Sequence, residues 1–240
     1  MRQGLSREAL MAAPYTPAGC RHGARLCLPL TPGLLVFGAA FGTAAAQKGL
    51  SLWEAVGLSA FVFAGAAQMV ALELWREVWT PSTLLGIAVL TATINARMIL
   101  MGASVQPWMR GAPLAPTALT LFLFTDASWL IGTRYQAERG NDLGVLLGAG
   151  VALWVLWVVS TVPGYLAGSL VTNPRAWGLD LVMPIFFAIM LVPLWRGMSR
   201  ALPWAVAGVV ALAVQALVPG YAYIVAGALA GAAVEALRDG

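Results

Sequence analysis

The sequence predicts an all-α fold, a polytopic transmembrane helical bundle of about eight membrane segments with glycine-broken helices. Three observations carry this. Only 10% of the 240 residues are charged, where a soluble domain carries about 25%. Hydrophobic residues make up 60% of the chain, and the mean hydropathy is +0.81. Apolar runs of about 20 residues, the length that crosses a bilayer as a helix, recur from one end of the chain to the other.

Residues 1–26 read as a disordered cytoplasmic tail carrying Arg2, Arg7, Arg21 and Arg25. Its apolar stretch Leu10–Pro14 is too short for a signal-peptide core. His22 reads as a solvated tail residue, because a metal site needs several convergent ligands. Cys20 and Cys27 make neither a disulfide framework nor a CxxC pair.

Residues 27–238 read as a single transmembrane domain. Its apolar runs are 28–47, 52–74, 83–105, 116–133, 143–170, 179–195, 202–217 and 221–237. Polar or proline-bearing stretches separate most of them. Pro219–Gly220 is so tight a break that the last two runs must form a helical hairpin. With the N-terminus in the cytoplasm, ten of the 14 Lys and Arg fall on the inside. Lys48, Arg110 and Arg175 fall outside and Arg97 lies within a span, so the split obeys the positive-inside bias. That bias also accounts for the pI near 9.5 without a nucleic-acid partner.

GxxxG spacings at Gly38/Gly42, Gly144/Gly148, Gly164/Gly168 and Gly227/Gly231 predict close helix packing. Gly49-Leu-Ser-Leu52 and Gly178-Leu-Asp-Leu181 echo one another and suggest an internal repeat.

A charge at the bilayer centre costs about 2.5–3.5 kcal/mol on insertion scales, so polar groups inside the runs call for a role or a partner. Asp126 lies in Leu121-Phe-Leu-Phe-Thr-Asp-Ala-Ser-Trp-Leu-Ile131, and on a continuous helix shares a face with Phe122, Trp129 and Thr133. It reads as a proton carrier or an amine-binding carboxylate, with a structural ion pair as the bland alternative. Asn95 and Arg97 stand two apart, on nearly opposite sides of a regular helix. Either the helix unwinds there or one of them packs elsewhere. Arg97 pairs with Asp126, binds a carboxylate through its planar fork, or snorkels to the interface. Gln68 is an amide in an apolar run beside Gly65, placed either to expose backbone groups to a ligand or to bond a neighbouring helix. Glu54 and Glu73 lie near run ends and read as interfacial.

Enzyme motifs are absent: there is no GxxxxGK[ST], HExxH, GxSxG or Rossmann GxGxxG in context. One histidine leaves little scope for acid–base catalysis or a metal cluster. No enzyme activity, cofactor or metal is expected, and any pumping draws on an ion gradient or a partner.

Taken in order, Gly38-Ala-Ala-Phe-Gly42, Gly49-Leu-Ser-Leu-Trp-Glu-Ala55, Phe63-Ala-Gly-Ala-Ala-Gln68, Asn95-Ala-Arg97 and Thr125-Asp126 resemble the AzlC family, the large subunit of bacterial branched-chain amino acid exporters. The resemblance covers about residues 28–237. It implies a single transport domain in the bacterial inner membrane, exporting leucine, isoleucine, valine or similar neutral amino acids. It further implies a small second membrane subunit of the AzlD type. Gly65, Gln68, Asn95, Arg97 and Asp126 fall in its signature stretches. Two positions depart from the family pattern. Met98 stands where a histidine usually follows the arginine, and Ala127 where an acidic residue usually follows the aspartate. Both departures remove a titratable group and bear on coupling or on the substrate chosen. The alternative to transport is a membrane scaffold or assembly subunit whose intramembrane charges are structural.

Overall fold

The structure, a computed structural model, describes residues 15–73, 75, 80–138, 140–170, 176, 181, 195, 197–218 and 222–239. Among these residues every regular element is helical. The chain divides into two compact units, residues 1–177 and 178–240.

In the first unit, α1 (Pro17–Leu26) begins where the Thr16 side chain accepts from the Gly19 N–H and Pro17 supplies the first helical position. A short 3-10 turn, Leu28–Leu30, follows because Pro29 has no N–H to continue the ladder. Helix α2 (Thr31–Gln47) then resumes with Pro32 in its first turn. Helix α9 (Gly144–Leu170) runs alongside both. Thr16 meets Asp142 and Gly144, Cys20 meets Gly148, Gly38 meets Ser160, and Thr43 meets Gly168. Positions rise together on the two sides, so α1 and α2 lie parallel to α9.

Glycines set the spacing of this mast. A methyl carbon on Gly148 would sit 2.0 Å from the Cys20 carbonyl oxygen, and one on Gly42 2.2 Å from that of Thr161. Backbone therefore packs on backbone, gaining dispersion contacts where lipid removes the hydrophobic drive between helices.

Helix α3 (Leu52–Phe61) opens with a Ser51/Glu54 capping box. It runs antiparallel to α9. Leu50 meets Tyr165, Ser59 meets Thr161 across 2.7 Å, and the Ala60 carbonyl accepts from the Trp154 indole at 2.9 Å. That last bond satisfies one of the orphan carbonyls at the end of α3. After a break come α4 (Gly65–Glu73), α5 (Pro81–Asn95), α6 (Arg97–Val105), α7 (Leu114–Phe122) and α8 (Asp126–Glu138). Leu123 packs on Gly150 and Gly132 on Leu146, so the α7–α8 segment is also antiparallel to α9.

The second unit contains α10 (Leu202–Leu217) and α11 (Ala222–Asp239). Gly227 faces Ala207 and Ala211, while Gly231 faces Pro203 and Ala207. These contacts make the pair antiparallel, the hairpin that Pro219–Gly220 predicted. Arg200 and Glu235 form an ion pair at 2.8 Å.

Three sequence expectations change. Of the tail over residues 1–26, residues 1–14 lie outside the described residues, and Pro17–Leu26 is helical rather than disordered. The Asp142 carboxylate, accepting from the Thr16 backbone and hydroxyl, fastens its start. His22 is accordingly half-buried, its ring 5.8 Å from that of Tyr135. The expectation of about eight membrane segments with glycine-broken helices is met only in part. Among the described residues, three helices have the length and composition to cross a membrane: Pro17–Gln47, Thr83–Val105 and Gly144–Leu170. Runs 52–74 and 116–133 are each divided by a break into pieces too short to cross alone, and run 179–195 lies outside the described residues. The second half of the expected repeat, Gly178–Leu181, does so as well except for Leu181.

Candidate functional site

Each of the sequence's three polar motifs sits at a helix discontinuity. The first interrupts α3 and α4 at Val62–Ala64, where Phe63 adopts φ +38°. A bulky side chain in the left-handed region costs about 1–2 kcal/mol and persists only when its surroundings hold it. Phe63 is buried, so packing supplies that hold. The second lies at Ala96. The Ala96 N–H bonds the Thr93 carbonyl, and the Ile99 N–H bonds that of Ala96. Both bonds span three residues instead of four, tightening the helix between Asn95 and Arg97. The third is Leu123–Thr125. The Ser128 N–H donates to Thr125 Oγ1 at 3.2 Å and the Thr125 N–H to Ser128 Oγ at 2.9 Å, a reciprocal cap that starts α8 at Asp126.

These breaks correct two readings. Asp126 is the first residue of α8 and not a mid-helix residue. Phe122 ends α7, so the face it was expected to share with Asp126 is broken. The conflict between Asn95 and Arg97 resolves at the Ala96 turn: Asn95 ends α5, half-buried, and Arg97 begins α6.

Arg97 Nη2 donates to Asp126 Oδ2 at 2.9 Å, with side chains 43% and 34% exposed. One nitrogen and one oxygen make the contact. The remaining guanidinium N–H groups and Oδ1 stand outside that bond. Beside it, the Trp129 indole donates to Ser104 Oγ at 2.9 Å, tying α8 to α6.

The other predicted residues gather elsewhere. A methyl carbon on Gly65 would lie 2.8 Å from Trp157 Cη2 and 3.0 Å from Phe37 Cε1. The Trp157 ring stands 5.0 Å from Phe37, edge-on, and 6.0 Å from Phe41, stacked. Gln68 is 3% exposed, and neither polar atom of its amide has a hydrogen-bond partner. The Trp157 indole nitrogen is likewise buried and unpartnered. The structure thus joins Arg97 to Asp126 and sets Gly65 with its Gln68 turn against α2 and α9. No hydrogen bond links Gln68 to Asn95, Arg97 or Asp126.

Trp157 escaped the sequence reading because a tryptophan in an apolar run carries no positional signal. Thr125-x-x-Ser128 was legible as a weak helix-start pattern.

Comparison with known proteins places these features in a family. The model of the AzlC protein family matches residues 29–171, a stretch that runs from the 3-10 turn through α9 and contains all three breaks. A branched-chain amino acid transport protein, AzlC of Bacillus subtilis, is 27% identical over 169 residues, 70% of this chain and 65% of that protein. A membrane protein of Archaeoglobus fulgidus is 29% identical over 214 residues, 88% of this chain and 91% of that one. A membrane protein of Helicobacter pylori is 24% identical over 165 residues, 68% and 70% of the two chains. No solved structure matches. With the family match covering more than half of the chain, this membrane protein belongs to the AzlC family of transport proteins.

Proposed function

We propose that this chain is a secondary transporter exporting branched-chain or similar neutral amino acids across the bacterial inner membrane, and that it works with a small AzlD-like membrane subunit. The observation that carries the reading is the Arg97–Asp126 pair, joined at 2.9 Å where two helices are interrupted. A neutral amino acid is a zwitterion with one carboxylate and one ammonium. It can take each partner from the other: carboxylate to the Arg97 fork, ammonium to Asp126. Discontinuous helices are where transporters bring polar backbone to a substrate. Gly65 and Gln68, at the remaining break, and Asn95, across the Ala96 turn from Arg97, belong to the same working set in this reading.

Eight crossings with a cytoplasmic N-terminus remain the topology that fits best, with residues 27–238 acting as one transport domain. Alternating crossings require the first and fifth runs to be parallel and the second and fourth to oppose the fifth. The contacts of α9 with α2, α3 and α8 have those senses. The name of the Bacillus relative supports the substrate class. Asp126 is the carboxylate placed to carry a coupling proton, since Met98 and Ala127 add no titratable group beside it.

The test is the internal level of leucine, isoleucine, valine and methionine in cells fed dipeptides, with and without this chain and its small partner. Lower levels with the chain present, restored by Asp126→Asn, support export through the pair. Unchanged levels, with the protein confirmed in the membrane, would favour the scaffold reading instead.

A further inference from the structure

We infer that the first turn of α4, with Gln68 and Trp157, forms a carboxylate-binding position separate from the Arg97–Asp126 pair. The N–H of Gln68 is the one that closes onto the Ala64 carbonyl, at 2.8 Å. The N–H groups of Gly65, Ala66 and Ala67 precede it and have no partner within the helix. A helix start of this kind presents donors and a partial positive charge, which suit an anion.

The independent observation is the set of unpartnered donors around that turn. Helical side chains lean toward the N-terminus, so Gln68, one turn in, reaches back over the first turn. Its amide is 97% buried by the 3% exposure of the residue, with both polar atoms unpartnered. A methyl carbon on Gly65 would be 3.2 Å from Trp157 Cζ2. Cη2, nearer still at 2.8 Å, and Cζ2 both belong to the six-membered ring, so that edge faces Gly65, and the unpartnered N–H is the next group along the same rim.

Burying an amide and an indole N–H without partners costs free energy that native proteins seldom bear without a ligand or water to meet it. Here the Gln68 Nε2–H, the Trp157 N–H and the backbone N–H groups are donors, and Gln68 Oε1 is the one acceptor among the unpartnered atoms. A carboxylate accepts from several at once. The rings packed against the turn are Phe37 and Trp157, so the acid that fits carries an apolar chain. In this structure Arg97 is engaged by Asp126, which leaves the α4 turn as the receptor for a carboxylate while that pair is closed. The inference stands on these donors and not on the transport reading, and its test needs no flux.

The probe is 4-methylpentanoate, the leucine skeleton without its amine, added to the purified full-length protein in detergent. Isoamylamine, a similar chain without the carboxylate, is the control. The acid is expected to raise the thermal midpoint by about 3 °C at ten times its Kd, and the amine to leave it unchanged. Arg97→Gln keeps the rise. Gln68→Leu abolishes it while leaving the ligand-free midpoint equal or higher, because an apolar side chain suits that setting. In protein labelled with 15N-tryptophan, the Trp157 indole resonance, assigned through Trp157→Phe, shifts with the acid. This last readout decides the matter even if Gln68→Leu fails to fold. No rise in the unmodified protein, a rise that survives Gln68→Leu or disappears in Arg97→Gln, or an unmoved Trp157 resonance would each overturn the inference.

Discussion

The mast of α1, α2 and α9 and the three interrupted segments α3/α4, α5/α6 and α7/α8 solve opposite problems. In the mast, the buried hydroxyls are returned to backbone or to a neighbouring hydroxyl, while the Trp157 indole N–H has no partner. Thr43 donates to the Gly164 carbonyl at 2.8 Å and Ser160 to that of Trp157 at 3.0 Å. The charged pair and the unpartnered amide fall instead beside the interruptions. A continuous helix satisfies its own backbone and can be clamped by glycines. A broken one releases backbone groups and places side chains at helix starts. Rigidity and chemistry are therefore divided between two sets of helices, and the division can be tested by substitution.

The largest functional effect is expected from the pair. Asp126→Asn and Arg97→Gln should each lower export at least about tenfold, the loss of one charge-assisted contact worth about 1.5–3 kcal/mol. Protein yield in the membrane should change less than flux. The exchange Arg97→Asp with Asp126→Arg separates the two roles. If the pair only holds helices together, the exchange restores whatever the single changes lost. A substrate-reading pair regains stability in the exchange without regaining flux.

Next in size is the mast. Gly42→Leu would drive a side chain into the backbone of α9, where even a methyl carbon stands 2.2 Å from the Thr161 oxygen and 2.6 Å from the Tyr165 nitrogen. Overpacking costs about 1–3 kcal/mol, and more where backbone must move. The expected result is a lower melting midpoint and a lower folded yield. Leu85→Ala, at a position 65% exposed in α5, should leave both nearly unchanged and so sets the baseline for a lipid-facing site. A mast that tolerated Gly42→Leu would not be the rigid half of the molecule.

Much of this division was legible in advance. Composition gave the helical membrane class, and among the described residues every α-helix but α1 falls on or overlaps an apolar run. All four GxxxG spacings fall at close helix contacts. The breaks at Val62–Ala64 and Leu123–Thr125 left little trace beyond the weak Thr125-x-x-Ser128 pattern, because hydropathy averages over side chains and is blind to backbone. Phe63 is an ordinary apolar residue until φ is known. The order of residues 17–26 was missed because its anchor, Asp142, lies 126 residues from Thr16. Gln68, Arg97 and Asp126 stand out in the sequence, because polarity within a run is a local signal. The Arg97–Asp126 pairing was one of three alternatives, and the choice among them was not legible, since which helix start faces which partner is a property of the packing.

A smaller effect is expected at the cap that begins α8. Thr125→Ala removes the acceptor for the Ser128 N–H, a loss of about 1 kcal/mol. The melting midpoint should fall by about 2–4 °C. Export should also fall, by a few-fold, because the start of α8 fixes where Asp126 stands. Thr125→Ser keeps the acceptor oxygen and should recover both. If Thr125→Ala lowered the midpoint and left flux intact, Asp126 would not need the helix start to position it.

The least effect is expected from a second ion pair, and that makes it the sharpest comparison. Arg200 and Glu235 meet at 2.8 Å with side chains 40% and 37% exposed, against 2.9 Å, 43% and 34% for Arg97 and Asp126. Distance, charge and exposure hardly separate the two. Position in the chain does: Arg200 lies in a 3-10 turn just before α10 and Glu235 in the last turns of α11, whereas Arg97 and Asp126 open helices inside apolar runs. Half-exposed pairs contribute about 0–1 kcal/mol. Arg200→Gln should therefore shift the melting midpoint little and leave export within about twofold. An equal loss of export from Arg200→Gln and Arg97→Gln would mean that any ion pair in this protein is needed for function. The helix interruptions would then have no special claim on the chemistry.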